Sequence, residues 1–184
     1  MTRRSIHLLE AGNRAKPIDV VITWVDDRTP GYRDIQSEAV PEVLTPEGVR
    51  VRVIAGQSHG TGGAVQRPTS DYPSDALYLD LQFSGAQSFA QPLPARHNAL
   101  VYVYRGSVEV LGAQGASTVP AQRMAILDNT GDGVRLQGSD GSRALLIAGQ
   151  PLNEPIAQYG PFVMNTREEL MQAVQDYQSG QLGR

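Results

Sequence analysis

Short runs of alternating apolar and polar residues, broken every few positions by Gly, Pro, Asn or Asp, decide the fold class of this chain. Val49–Ile54 reads V-R-V-R-V-I and Leu77–Phe83 reads L-Y-L-D-L-Q-F. A period of two sends successive side chains to opposite faces, which suits a half-buried strand and not a helix. Leu100–Tyr104 and Ser107–Leu111 flank Arg105-Gly106, a spacing that predicts a hairpin. Tyr102 and Tyr104 alternate with Val101 and Val103, so one pair should face the interior and the other the outside, all four as packing residues. Met124–Leu127, Gly133–Gln137 and Arg143–Ala148 follow at short intervals with turn residues between them. Many short strands without crossover helices predict an all-β, double-sheet sandwich or barrel and disfavour a doubly wound α/β sheet.

The C-terminus changes period. Thr166-Arg167-Glu168-Glu169 forms a capping box, with the Thr hydroxyl placed for the third amide and Glu169 able to reach back. Leu170, Met171, Val174 and Tyr177 recur at helical spacing, and Gly180 stands where a left-handed cap belongs. A helix is expected from about Arg167 to Ser179, its apolar stripe packed on the sheets. At the other end, Ile18–Val25 predicts a strand that completes or edges the barrel, residues 1–17 show no pattern, and Asp26–Thr45 has the Pro, Gly and charge of an extended linker.

With 184 residues, such a chain buries roughly 70% of its unfolded surface and needs no covalent staple. The absence of cysteine removes disulfides, thiolate metal sites and a cysteine nucleophile together. A net charge of −3 and scattered basic residues leave no footprint for nucleic acid. The apolar runs fall short of the roughly 20 residues that span a bilayer, and the basic start at Met1–Arg4 is followed by His7 and Glu10, which would break a signal peptide. A cytoplasmic protein with no membrane contact is expected.

The segments Ala148–Pro155, Gln158–Thr166 and Asp176–Gly180 resemble the C-terminal signature of the pirin family. Val53–Gly56, Leu77–Asp80 and Pro92–Ala99 are similar to further pirin segments in the same order, and Trp24 with Tyr32–Ile35 resembles the stretch joining the two pirin domains. The resemblance implies a cupin: a double-stranded β-helix, or jelly-roll barrel, of antiparallel strands with a short C-terminal helix. It divides the chain into an atypical segment with one strand (1–23), an extended linker or edge segment (24–48) and a C-terminal cupin with its helix (49–184). In the family an N-terminal barrel holds one metal, usually iron, through three histidines and a glutamate. Some bacterial members act as quercetin dioxygenases, and a eukaryotic member is an iron-dependent transcriptional cofactor. The His-Pro-His run of that barrel has no counterpart here.

Cupin metal chemistry needs imidazole and carboxylate ligands converging from neighbouring strands, with an open position for dioxygen or substrate. Counting the motif back from Gly106 puts two histidine positions near Pro92 and Pro94 and the glutamate position near Asn98. The second motif's histidine would fall a few residues after Pro120, where Arg123-Met124-Ala125 stands. These residues predict a cupin without metal or other cofactor. His97 and Asn98, at a strand entrance, and His59, in the loop Gln57-Ser58-His59-Gly60, remain as ligand-binding candidates; His7 is the third histidine. Ser58-His59 lacks the Gly-x-Ser-x-Gly elbow of a hydrolase, and Gly60–Gly63 lacks the lysine of a phosphate loop.

Residues 17–25 with Asp26 also resemble the opening motif of the Stealth phosphotransferases, but over some ten residues only, so Asp19 and Asp26 receive no catalytic role. The leading expectation is a metal-free cupin acting in binding or interaction, through a small molecule at the barrel mouth or a partner surface. A barrel parted from its companion exposes an interface, so a homodimer through that face, or residues 1–23 folded over it, is expected. The alternatives are an iron- or other divalent-metal-dependent quercetin (flavonol) 2,3-dioxygenase and an inactive truncated pirin.

Overall fold

The computed structural model describes residues 6–10, 23–24, 31–32, 35–65, 75–151 and 153–181. In chain order its strands are β1 (Ile6–Glu10), β2 (Thr23–Trp24), β3 (Gly31–Tyr32), β4 (Glu42–Leu44), β5 (Arg50–Ala55), β6 (Gln57–Ser58), β7 (Thr61–Gly62), β8 (Leu77–Gln82) and β9 (Gln87–Pro92). Then follow β10 (Asn98–Arg105), β11 (Ser107–Gly112), β12 (Gly115–Pro120), β13 (Arg123–Leu127), β14 (Gly133–Gly138), β15 (Arg143–Gly149), β16 (Ala157–Tyr159) and β17 (Phe162–Met164). One helix, α1 (Arg167–Gln178), closes the described chain, and a 3-10 turn occupies Ser37–Ala39. The fold is all-β with a short C-terminal helix. No helix among the described residues is long and apolar enough to cross a membrane.

The chain divides into two compact units, Met1–Ile18 with Ile35–Pro151 and Asp19–Asp34 with Leu152–Arg184. The first contains a seven-stranded antiparallel sheet ordered β1-β13-β10-β15-β8-β5-β4 and a four-stranded one ordered β12-β11-β14-β9. Alternation does the sorting. Val53, Leu79, Leu146, Val101 and Ala125 stand in register across five strands of the large sheet, and each is fully buried. Phe89, Leu136 and Val110 form the matching row of the small sheet, and both rows belong to one core. Val101 and Val103 face inward, while Tyr102 and Tyr104 lie half-buried on the other face.

Two expectations are corrected in this unit. β10 and β11 do not form a hairpin: β10 pairs with β13 and β15, and β11 with β12 and β14. Arg105-Gly106 is instead a corner between sheets. Gly106 takes φ +68, and a Cβ there would stand 2.9 Å from the Ser142 side chain, so close approach and a left-handed backbone both call for glycine. The strand that edges the large sheet comes from the unpatterned start: β1 pairs with β13 from Ile6↔Leu127 to Glu10↔Arg123. Of the strand expected over Ile18–Val25 only Thr23–Trp24 is described, and it pairs with Gly31–Tyr32 in a separate ribbon. The rest, with Asp19 and Asp26, lies outside the described residues. The end of the expected linker carries the turn at Ser37–Ala39 and β4, an edge strand on β5.

In the second unit α1 has the expected capping box: the Glu169 amide donates to Thr166 Oγ1 at 3.2 Å, and the Thr166 amide to Glu169 Oε2 at 2.9 Å. At the far end the Gly180 amide donates to Tyr177 O and the Gln181 amide to Asp176 O, with φ +70 at Gly180. This is a Schellman cap, and it stops the helix at Gln178 with Ser179 as the cap residue. The buried stripe is Leu170 and Ala173, whereas Met171 and Tyr177 are exposed. Small Ala173 completes the spacing of three from Leu170 that Met171 cannot. The Tyr177 ring meets Phe162 of β17 edge-on at 5.7 Å.

Candidate functional site

Strand registers collect one end of the first unit. β10 begins at Asn98 opposite Gly149, β13 ends at Leu127 opposite Ala99, and β9 ends at Pro92 opposite Gly133. The chain passes from β9 to β10 through Leu93–His97, whose amides at Leu93 and His97 donate to Asp132 O and Pro94 O. β6 and β7 follow the end of β5 and fold over as a tight hairpin. This end is the mouth of the two-sheet structure, and it carries all three candidate residues.

The structure keeps the three apart in their partners. His97 is 2% exposed, with Nε2 3.5 Å from Asp75 Oδ2. Asn98 is exposed, and its Oδ1 accepts from Asn129 Nδ2 at 2.8 Å. His59 is exposed at the hairpin tip, its ring tilted over Phe89 with centroids 5.7 Å apart. Its Nδ1 lies 2.9 Å from the Oγ of buried Ser58. Ser58 in turn donates to Gln91 Oε1 at 2.8 Å, and Gln91 Nε2 donates to the carbonyls of Gln57 and Pro92, each at 3.3 Å. Ser58 is therefore a buried link between His59 and Gln91.

Gln91 is the member of this group that motif reading passed over. In β9 the inward positions are Phe89 and Gln91, continued by Leu93, and the outward ones are Ala90 and Pro92, continued by Pro94. Counting from Gly106 put the histidine positions near Pro92 and Pro94, which face outward; the inward residues of this stretch are Phe89, Gln91 and Leu93. A polar residue at an inward position was the available signal. Ala99, Ala125 and Leu127, the neighbouring inward residues, are apolar, and His97 is the buried imidazole at this end. Gln91 offers one neutral amide, both ends of which are engaged. These residues do not fit the imidazole and carboxylate set that iron requires. Among the described residues no three His, Cys, Asp or Glu side chains gather closely enough to hold a metal; the His7 side chain lies outside the described residues.

A second polar group lies on the outer face of the large sheet. Tyr104 donates its hydroxyl to Asp80 Oδ1 at 2.7 Å. Burial, then the hydrogen bond and charge of Asp80, hold the Tyr104 phenol well above the ordinary tyrosine range, with Arg143 offsetting part of the effect. Burial and then the charge of Asp80 also raise Tyr78. The Tyr104 hydroxyl, held neutral in this way, ties β10 to Asp80 of β8.

Residues 78–183 match the family model of the pirin C-terminal cupin domain. A Pseudomonas aeruginosa protein named as a candidate quercetin 2,3-dioxygenase is 45% identical over 156 residues, 83% of this chain and 53% of that protein. Mouse pirin is 35% identical over 168 residues, 87% of this chain and 56% of its own length. The crystal structure of a quercetin 2,3-dioxygenase from Acinetobacter baumannii superposes with a TM-score of 0.70 at 33% identity, covering 84% of this chain and 51% of that one. The chain thus spans about half the length of the relatives it matches, and the fold is that of a cupin.

Proposed function

The chain belongs to the pirin family, and on that premise we propose that its cupin is a metal-free module working by binding or interaction rather than by catalysis. The observation that carries this reading is the chemistry of the inward positions at the mouth. Phe89, Gln91, Leu93, Ala99, Ala125 and Leu127 supply neither imidazole nor carboxylate, and the imidazole buried at this end, His97, faces Asp75 without a third His, Cys, Asp or Glu beside them among the described residues. Dioxygen chemistry at a non-haem metal requires several such ligands and an open coordination position. Behind the mouth the space between the sheets is taken by side chains such as Leu79, Leu136 and Leu146, all fully buried, which directs binding to the mouth and the outer surfaces.

The same reading includes a cytoplasmic homodimer without direct contact to nucleic acid or membrane. The outer face of the large sheet supports the dimer: Tyr78, Ile147, Leu100 and Ile126 form an apolar row across four strands. Light scattering of the purified chain should give the mass of two copies, and a monodisperse monomer would remove the dimer from the proposal.

A second reading is favoured by the names of the relatives: a metal-dependent quercetin (flavonol) 2,3-dioxygenase whose ligands are completed by another chain. Metal analysis of protein purified without chelator separates the two. The binding module should carry well under one metal per chain. Stoichiometric iron, nickel or copper that disappears on replacing His59 and His97 would establish the enzyme instead.

A further inference from the structure

The hairpin tip holds a residue that its backbone does not favour. β6 and β7 pair Ser58 with Thr61 and leave the two-residue loop His59-Gly60, with φ +46 at His59 and φ +79 at Gly60. Positive φ at both central positions belongs to the tight hairpin turn whose preferred sequence is Asn-Gly. Histidine accepts the left-handed region more readily than most side chains, but asparagine or glycine would serve the turn better. A residue set against a local preference at an exposed tip is where function is to be sought.

The hydrogen-bond network decides what His59 presents. Gln91 is oriented by two backbone carbonyls, Gln57 O and Pro92 O, which only the amide NH2 can meet. Its Oε1 therefore faces Ser58, and because an amide oxygen cannot donate, the Ser58 hydroxyl must give its one proton to it. Ser58 Oγ is left as an acceptor, so the contact at 2.9 Å requires His59 to carry its proton on Nδ1. Nε2 of the neutral ring then holds the lone pair. The exposed imidazole makes no other hydrogen bond among the described residues, and the Phe89 ring beneath it restricts its orientation.

We infer that His59 is a ligand-binding residue whose Nε2, set by the Gln91–Ser58 relay, accepts a hydrogen bond from a hydroxyl group of a small molecule at the mouth. This rests on the reading of the cupin as a binding module and adds the class of ligand to it: molecules that present a hydroxyl group. An ether of the same shape lacks the proton and is discriminated against.

The test uses the full chain labelled with 15N and long-range proton–nitrogen spectra of the histidine rings. The free protein should show His59 with a protonated Nδ1 and an unprotonated Nε2. Gln91→Met removes the acceptor of the Ser58 proton, frees that hydroxyl to donate to Nδ1, and should return the ring to a mixture of tautomers; Ser58→Ala is a second variant with the same expected result. Titration with cyclohexanol should shift the His59 Nε2 resonance to saturation, whereas methoxycyclohexane should leave it in place. The backbone amides of Gly60 and Thr61 should follow the alcohol and not the ether in the parent, and in His59→Asn, which suits the turn, they should respond to neither. An Nε2-protonated ring in the free protein overturns the inference. So does the absence of a saturable alcohol shift, an equal response to the ether, or an alcohol preference that survives His59→Asn. Stoichiometric metal would instead overturn the metal-free reading while leaving the tautomer result standing, so the two failures are distinguishable.

Discussion

Tyr104 shows how a single polar contact on a sheet face becomes a dependence of stability on pH. Its phenol is held above the ordinary value of 10.0 by burial and by Asp80. The folded chain therefore keeps this proton after the unfolded chain has lost it, and the stabilising contribution is complete below about pH 10 and disappears as pH rises through the raised folded value. Tyr104→Phe lacks the ionisation in both states. The advantage of the parent over Tyr104→Phe in urea midpoint should shrink between about pH 8 and about pH 11. Half-exposure of the group screens the effect and keeps it modest. An advantage that held constant over this interval would show that the Tyr104 phenol titrates alike in the folded and the unfolded chain. The mouth raises a different issue at the same scale. His59, His97 and Asn98 can be picked out of the sequence because histidines are few and loops are recognisable. The link from Ser58 to Gln91 crosses 33 positions of the chain, and no local pattern announces a contact of that range.

At the scale of elements, legibility follows from how much apolar contrast a segment carries. β5 and β8 alternate strongly, β15 is an apolar run bounded by turn residues, and all three could be placed within a residue or two. β9 (Q-S-F-A-Q-P) and β12 (G-A-S-T-V-P) hide their period because small and polar residues fill both faces, with Phe89 and Val119 as their main inward anchors. The corner at Gly106 escaped for another reason: a glycine turn between two strands looks the same whether they pair or separate, and only tertiary packing chooses. Helix α1 was legible because its signals are local, and the same locality makes it testable. Thr166→Ala removes the side-chain acceptor of the Glu169 amide, which costs about 1 kcal/mol. Amides in the first turn of α1 should exchange roughly 5-fold faster, with the rates of β10 and β15 unchanged. Equal acceleration in those strands would mean that the cap supports more than its own helix.

For the whole molecule, the arrangement divides work between centre and end. The row Val53–Leu79–Leu146–Val101–Ala125 and its counterpart Phe89–Leu136–Val110 fill the space between the sheets, and the polar group of Ser58, Gln91 and His59 lies beyond it at the mouth. A close-packed centre cannot collapse freely around a lost side chain. Leu146→Ala should therefore cost roughly 2–5 kcal/mol, the transfer term plus the cavity it leaves. Urea unfolding should show a lower midpoint with an unchanged slope. His59→Asn at the exposed turn should stay within about 0.5 kcal/mol of the parent. The contrast matters for function, because binding at the mouth presupposes a centre with no room for a ligand. If Leu146→Ala cost less than about 1 kcal/mol, the interior would be loosely packed by the measure of other cores. A small-molecule site between the sheets would then compete with the mouth as the place where this cupin binds.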